Sequence, residues 1–233
     1  MRILLLTSTS LRHFALASRL SALDEVTMVA ETRRQPVAGG PAMREYLGRM
    51  DRAEAEVFGA VTLRSNVTVL PFGTLATLHV RAQDFARIVV FGASWIRPPL
   101  VHDLVKAGAV NLHAGMAPEY RGSACTFWAD YDGHPELVGC TIHRLAPGLD
   151  DGDVIARMPA PDDDDPWRRS MRGLADAFHR LTEILPLPVD VAIAQDRTRE
   201  IRYSRHADFT ETVCEEYLAR RAGAVHAPHG CAR

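Results

Sequence analysis

Arg2-Ile-Leu-Leu-Leu-Thr7, then Leu11-Arg-His-Phe-Ala-Leu-Ala-Ser-Arg-Leu20, then Val26-Thr-Met-Val-Ala30 form an apolar run, an amphipathic stretch and a second apolar run. The outer two read as buried strands over 2–7 and 26–30. The middle one carries Leu11, Phe14, Ala15, Ala17, Leu20 and Leu23 at helical spacing, with Ser10 placed to cap its start, and reads as a helix over 11–23. Strand, helix, strand in this order implies a right-handed crossover and a parallel sheet.

The rhythm continues along the chain. Residues 33–41 are a Gly/Pro-rich loop, and 42–59 read as an exposed helix bearing Glu45, Arg49, Asp51, Arg52, Glu54 and Glu56. A strand is expected at 67–70 and a buried strand at 87–91, ending on Gly92, while 75–83 is ambiguous. Pro98-Pro99 opens a helix to about Lys106, because proline is tolerated in a first helical turn. A short strand follows at 110–113, a helix at 123–132, and strands at 138–145 and 153–158, with 147–152 as the loop joining the last two. The acidic run Asp162 to Asp165 reads as a solvated surface loop. A long amphipathic helix begins at 167 and breaks near 186–188. A strand near 201–203, a short helix from about 210 to 221 and a frayed tail close the chain. The expected fold is an open, mostly parallel α/β sheet, with a main domain over 1–193 and a small extension over 194–233. In such sheets ligands bind beyond the carboxyl ends of the strands.

With 233 residues and a formal charge of −2, the chain has no excess positive field, so nucleic acid is not an expected partner. The apolar start stops at Leu6 and is interrupted by Thr7 to Ser10, so it does not read as a signal peptide. No run of 18 apolar residues suggests a membrane span, and a cytoplasmic protein is expected. Cys125, Cys140, Cys214 and Cys231 are scattered, which suits reduced thiols rather than a metal site. Asp150, Asp151 and Asp153 do not follow the spacing of a calcium loop, and no metal is expected.

The chemistry concentrates at two loops. Asn111 and His113 stand two apart at the end of a strand, which can put both side chains on one face, and Asp150 lies in Gly148-Leu-Asp-Asp-Gly-Asp153. An amide that can hold an oxyanion, an imidazole that can move a proton and a carboxylate that can orient the imidazole are what transfer at a carbonyl centre requires. The pair also has a bland reading, as polar loop residues satisfying backbone groups. Gly115, Pro118 and Gly122 shape a specific loop beside it and favour the chemical one.

Five ordered segments carry a resemblance: Val89-Val-Phe-Gly-Ala-Ser-Trp-Ile-Arg-Pro-Pro99, Val110-Asn-Leu-His-Ala-Gly115, Pro118-Glu-Tyr-Arg-Gly122, Val138-Gly-Cys-Thr-Ile-His143 and Gly148-Leu-Asp-Asp-Gly-Asp-Val-Ile155. In order and spacing the chain resembles the folate-dependent formyltransferases over roughly residues 2–158. The resemblance implies their Rossmann-like fold, with N10-formyltetrahydrofolate as co-substrate and no metal. It puts Asn111, His113 and Asp150 at the catalytic positions. Asn111 would stabilise the oxyanion, His113 would handle the proton, and Asp150 would orient His113 and, as a neighbouring carboxylate, lift its pKa. Asp150 is preferred to Asp151 because it follows Leu149 in the family's Leu-Asp pattern. The implied pterin pocket is formed by Gly92, Ser94, Trp95 and Ile96, largely through backbone groups, and closed by Pro147, Gly148 and Leu149. Trp95 and Ile96 read equally well as core residues.

The acceptor is read from departures within the family. The first strand is followed by Thr7-Ser-Thr-Ser-Leu-Arg-His13 rather than a Gly-rich phosphate loop, against a purine-pathway role. His113-Ala-Gly115 stands where the tRNA enzymes usually carry a Pro-Ser-Leu-Leu-Pro loop. The forty residues after 193 are also short for those enzymes' additional domain. The chain therefore resembles the nucleotide-sugar branch, which implies a dTDP- or GDP-linked amino-deoxy sugar destined for cell-surface polysaccharide. Arg12, His13, Gly115, Met116, Tyr120 and Arg121 are the candidate acceptor contacts, with simple loop anchoring as the other reading of Tyr120 and Arg121. The rivals are a different small amine, such as a siderophore or antibiotic precursor, and a non-catalytic binder of folate or nucleotide sugar. The apolar residues from Val213 to Leu218 could support a homodimer.

Overall fold

A computed structural model of the protein describes residues 2–32, 39–187 and 191–226. Its centre is a seven-stranded sheet in the order β3-β2-β1-β4-β5-β7-β8, built from β1 (Arg2–Ser8), β2 (Glu25–Glu31), β3 (Asn66–Leu70), β4 (Arg87–Phe91), β5 (Val110–His113), β7 (Gly139–Arg144) and β8 (Val154–Pro159). The first five strands are parallel, and β7 and β8 are antiparallel to their neighbours. This is the mixed, mainly parallel α/β sheet expected from the opening residues.

The leucine run explains why β1 sits in the middle. Ile3 and Leu5 enter one apolar cluster while Leu4 and Leu6 enter the other, as the two-residue period of a strand requires. Both faces are therefore covered, and Leu4, Leu5 and Leu6 are fully buried. Truncating any one to alanine carries a cost of about 2–5 kcal/mol for the cavity and the lost transfer energy.

Helices α1 (Leu11–Leu20), α2 (Pro41–Phe58) and α5 (Pro166–Ile184) cover the Ile3/Leu5 face, and α3 (Leu100–Lys106) covers the other. α1 stops at Leu20, short of the expected 23, and Leu23 lies exposed in the following turn. Ser10 makes no side-chain cap. The backbone N–H of Arg12 instead donates to Glu54 Oε1 at 2.6 Å, and Arg12 Nη1 donates to Glu54 Oε2 at 2.7 Å. Glu54 is thus buried on α2, which corrects the expectation that this helix's charged residues all face solvent. The acidic run is likewise not wholly solvated: Asp165 caps α5 through the N–H groups of Trp167 and Arg168, and Asp163 pairs with Arg168 and Arg172. The ambiguous 75–83 stretch forms two single 3₁₀ turns, Leu75–Thr77 and Ala82–Asp84.

The segment after 193 folds back onto the body. β9 (Arg202–Ser204) pairs in parallel with β6 (Tyr120–Gly122), a strand inside the stretch read as loop. Between β6 and β7 lies α4 (Cys125–Tyr131). The last helix, α6 (Glu211–His226), runs five residues past the expected end, and its Glu211 accepts the first N–H groups of α2, from Ala42 at 2.7 Å and Met43 at 3.1 Å. Most of the expected 33–41 loop, the far side of the 186–188 break and the tail from 227 lie outside the described residues. Among those described, no helix is long and apolar enough to cross a membrane, and no three His, Cys, Asp or Glu are grouped to hold a metal ion. Cys125, Cys140 and Cys214 are free and buried; Cys231 lies outside the described residues.

Candidate functional site

The parallel strand order turns around between β1 and β4, so the crevice beyond their carboxyl ends is where an open sheet of this kind takes a ligand. β5 is the next strand, with Val90 opposite Asn111 and Phe91 opposite Leu112. The loop after β4 therefore lies on one side of Asn111 and His113. β7 lies on the other, and its following loop carries Asp150.

Asn111, His113 and Asp150 meet. Asn111 Nδ2 donates to Asp150 Oδ1 at 3.1 Å, His113 Nδ1 lies 3.4 Å from Asp150 Oδ2, and the backbone N–H of Gly122 donates to that same Oδ2 at 3.1 Å. The carboxylate thus accepts one N–H on each oxygen, with the His113 ring beside it. The amide of Asn111 must point its nitrogen this way, since a carboxylate cannot donate.

A fourth side chain completes the cluster. His143 lies directly opposite Asn111 in the antiparallel β5–β7 pair. Its Nδ1–H donates to Arg144 O at 2.7 Å, which leaves Nε2 as an acceptor for Asn111 Nδ2 at 3.0 Å. Both amide hydrogens of Asn111 are therefore engaged. In the sequence His143 is only the last residue of the segment Val138 to His143, with nothing there to mark its role. Aligning 110–113 antiparallel to 138–145 would have found it.

The tautomer of His113 follows in the same way. Its Nε2 sits 3.0 Å from the carbonyl of Tyr120, which can only accept, so the proton of the neutral ring is on Nε2 and the lone pair on Nδ1 faces Asp150. Burial disfavours the imidazolium more than Asp150 favours it, with His143 pushing the same way, so the pKa of His113 lies below its usual 6.5. This reverses the expected upward shift, because the ring is almost wholly withdrawn from water. Burial alone would raise Asp150, but the imidazoles of His113 and His143 and the Gly122 N–H outweigh it and hold the carboxyl at about 2. At neutral pH the pair is an ionised Asp150 beside a neutral His113.

The two expected pocket walls are on the surface beside this cluster. Gly92 and Trp95 are exposed, as are Pro147, Gly148 and Leu149. Ile96 belongs to the core beneath. The Ser94 N–H is not free, however: it donates to the buried Glu31 at 2.9 Å, whose other oxygen accepts from Leu75 N at 3.0 Å. That corrects the expectation that Ser94 offers its amide to a ligand. Glu31 ties the loop after β4 to the end of β2.

The six residues expected to touch an acceptor are turned to internal partners. Arg12 is held by Glu54. The His13 ring is buried, lies 2.6 Å from Thr7 Oγ1 through Nδ1, stacks on Phe91 and packs against Gly92, where a Cβ would come within 2.5 Å of it. Gly115 is required for a similar reason, since its Cβ would lie 2.4 Å from His113 Nε2. Met116 is buried, and the Tyr120 side chain lies in the core with its hydroxyl donating to Asp132. Arg121 braces the Asp150 loop, donating through Nε to the Asp150 carbonyl at 3.0 Å and through Nη2 to the Leu149 carbonyl. Loop anchoring, the other reading of Tyr120 and Arg121, is the one the geometry favours. A strand-end glycine and an Arg in a loop look the same in sequence whether they face a ligand or a neighbouring carbonyl.

The family model described as Formyl transferase matches residues 78–168. A methionyl-tRNA formyltransferase from Agathobacter rectalis is 29% identical over 169 residues, which cover 70% of this chain and 51% of that protein. The chain thus spans about half the length of this curated relative. Among solved structures, a sugar N-formyltransferase from a Shewanella species is similar with a TM-score of 0.59 at 14% identity, covering 90% of this chain and 78% of the other. A formyltransferase from Anoxybacillus kamchatkensis, in complex with UDP-4,6-dideoxy-4-formamido-L-AltNAc and tetrahydrofolate, has a TM-score of 0.54 at 18% identity, covering 94% and 90%. The matched segment runs through β4, β5, β7 and β8 with their loops, and over it the chain is similar to the formyl transferases.

Proposed function

We propose that the protein is an N-formyltransferase that moves a formyl group from N10-formyltetrahydrofolate to the exocyclic amine of a nucleotide-linked amino sugar. The observation that carries the reading is the meeting of the Asn111 amide, the His113 ring and the Asp150 carboxylate beside the exposed residues of the loops after β4 and β7. The amine nitrogen bonds to the formyl carbon, the bond from that carbon to N10 breaks, and the proton shed by the amine is replaced on N10. Neutral His113 has its vacant position at Nδ1, so a proton taken up there is met at once by the negative Asp150. An oxyanion forming near Asn111 competes for the amide hydrogen that lies against His143 Nε2, a weaker acceptor than the carboxylate.

The exposed Trp95, Gly92 with φ 61° and the exposed residues 147–149 suit a flat ring held between two loops. The tetrahydrofolate in the Anoxybacillus structure supports the donor, and its sugar nucleotide supports the acceptor class. The His113-Ala-Gly115 sequence favours the sugar branch as well. A second reading, a methionyl-tRNA acceptor, is favoured by the names of the curated relatives.

One assay separates them. The protein is incubated with N10-formyltetrahydrofolate and a panel of dTDP-, GDP- and UDP-linked amino sugars, non-nucleotide amines and aminoacylated initiator tRNA, with formyl transfer read by mass. Turnover on a nucleotide amino sugar is expected. Turnover only on the tRNA would establish the second reading, and turnover only on a free amine would reject both.

A further inference from the structure

We propose that Gln195 and Glu200, which follow the sheet in sequence, are positioning residues that hold the backbone of Asp150 so that its carboxylate meets His113 and Asn111. The inference rests on the reading of Asp150 and His113 as the groups that carry formyl transfer.

Asp150 has φ 47°. A residue with a Cβ is strained there and stays only where its surroundings over-determine it. Those surroundings come from residues 195–200. The side-chain amide of Gln195 spans the turn, Nε2 donating to the carbonyl of Asp150 at 2.9 Å and to that of Gly152 at 2.8 Å. Arg121 supplies a second donor to the Asp150 carbonyl, from Nε at 3.0 Å, and a further one to the Leu149 carbonyl. Its guanidinium is in turn fixed by Glu200 Oε2, which accepts from Nη1 at 2.8 Å. Arg197 joins Glu200 to Asp151 on the outer side of the same loop.

The carbonyls of 149, 150 and 152 are therefore all held by this segment, directly or through Arg121. Neither Gln195 nor Glu200 has a hydrogen bond to the Asp150 carboxylate, so their effect on it passes through the backbone. If the turn relaxes, the carboxylate leaves His113 Nδ1. The imidazole then faces His143 and Arg121 without its counter-charge and titrates at lower pH.

The test uses Gln195→Met, which keeps length and bulk and removes both donated bonds, and Glu200→Gln, which keeps shape and loses charge. Gln195→Met should lower kcat by roughly 10- to 100-fold with KM for both substrates little changed, as a small misplacement of a reacting group does. In the Asp150→Asn background it should cost nothing further, because a residue acting only through Asp150 has nothing left to position. The second readout needs no turnover: the titration of His113 in the free protein, followed by NMR and assigned with His113→Gln, should move to lower pH in Gln195→Met and less so in Glu200→Gln.

A fall in thermal stability with kcat and the His113 titration unchanged would make the segment merely structural and overturn the proposal, as would losses that add in full to Asp150→Asn. Should Gln195→Met fail to fold, Glu200→Gln with an unmoved His113 titration overturns it equally. If the wild-type chain transfers no formyl group, the proposed function fails, while the titration still decides whether the segment positions Asp150.

Discussion

Replacing Asp150 by asparagine removes one charge from a site where the Asn111 amide and the Gly122 N–H both donate to it. The carboxylate accepts from Asn111 Nδ2 and from the Gly122 N–H and faces His113 Nδ1. An asparagine must turn its own NH2 toward one of the first two, leaving donor against donor. The cost can be worked from titration. The Asp150 carboxyl is held at about 2 against the usual 3.8, and at 1.36 kcal/mol per pH unit that interval is about 2 kcal/mol. The sign follows from linkage: a depressed carboxyl contributes stability that is complete above the unfolded value and is lost as pH falls through the folded one. The wild type should therefore be about 2 kcal/mol more stable than Asp150→Asn from pH 5 to 7, and the gap should close between pH 4 and 2, where the protonated acid resembles the amide. Urea denaturation of both proteins across this range measures it. A gap that is absent at pH 7, or constant down to pH 2, would show that the carboxylate is not held by these donors. Formyl transfer by the variant should fall at least ~100-fold.

Three further outcomes are expected. His113→Ala should lose at least ~100-fold in kcat; in the wild type the acid limb of kcat/KM should have its midpoint below pH 6.5, because the ring must be neutral to take a proton and burial lowers its pKa, and near-normal turnover of the alanine variant would remove His113 from the chemistry. Gly122→Ala places a methyl group 2.0 Å from the Ser204 carbonyl at φ 96°, so urea titration should show a loss of roughly 2–4 kcal/mol together with weakened activity as the N–H leaves Asp150. Glu54→Gln keeps the shape of the cap on α1 but removes the charge that pairs with Arg12, and should cost about 1.5–3 kcal/mol in the same measurement without shifting the pH profile of catalysis.

The architecture was legible because its signal is local. The leucines of 2–7 and the helical spacing of 11–20 each report their own surroundings, and the parallel crossover follows from their order. Asn111, His113 and Asp150 were legible as a set through motif resemblance, and the geometry brings them together. What could not be read was direction. Arg12, His13, Tyr120 and Arg121 are polar or amphipathic residues next to a site, and sequence does not say whether such a residue faces a ligand or a neighbour; Glu54, Thr7, Asp132 and the carbonyls of 149 and 150 had already taken them. The shift of His113 was misjudged because a charge partner is visible in sequence and the depth of burial is not. His143, Gln195 and Glu200 escaped because their roles depend on strand pairing and on contacts across tens of residues.

The parallel pairing of β6 with β9 has a consequence for synthesis. A chain leaving the ribosome has made its whole central sheet once Pro159 is out, and Asn111, His113 and Asp150 are then all present. Yet Gly122, whose N–H grips Asp150, has no partner strand until Ser204 has emerged. A nascent chain arrested between those two points should be folded enough to resist protease at its centre and still be catalytically silent, with activity arriving only when the last strand zips into place.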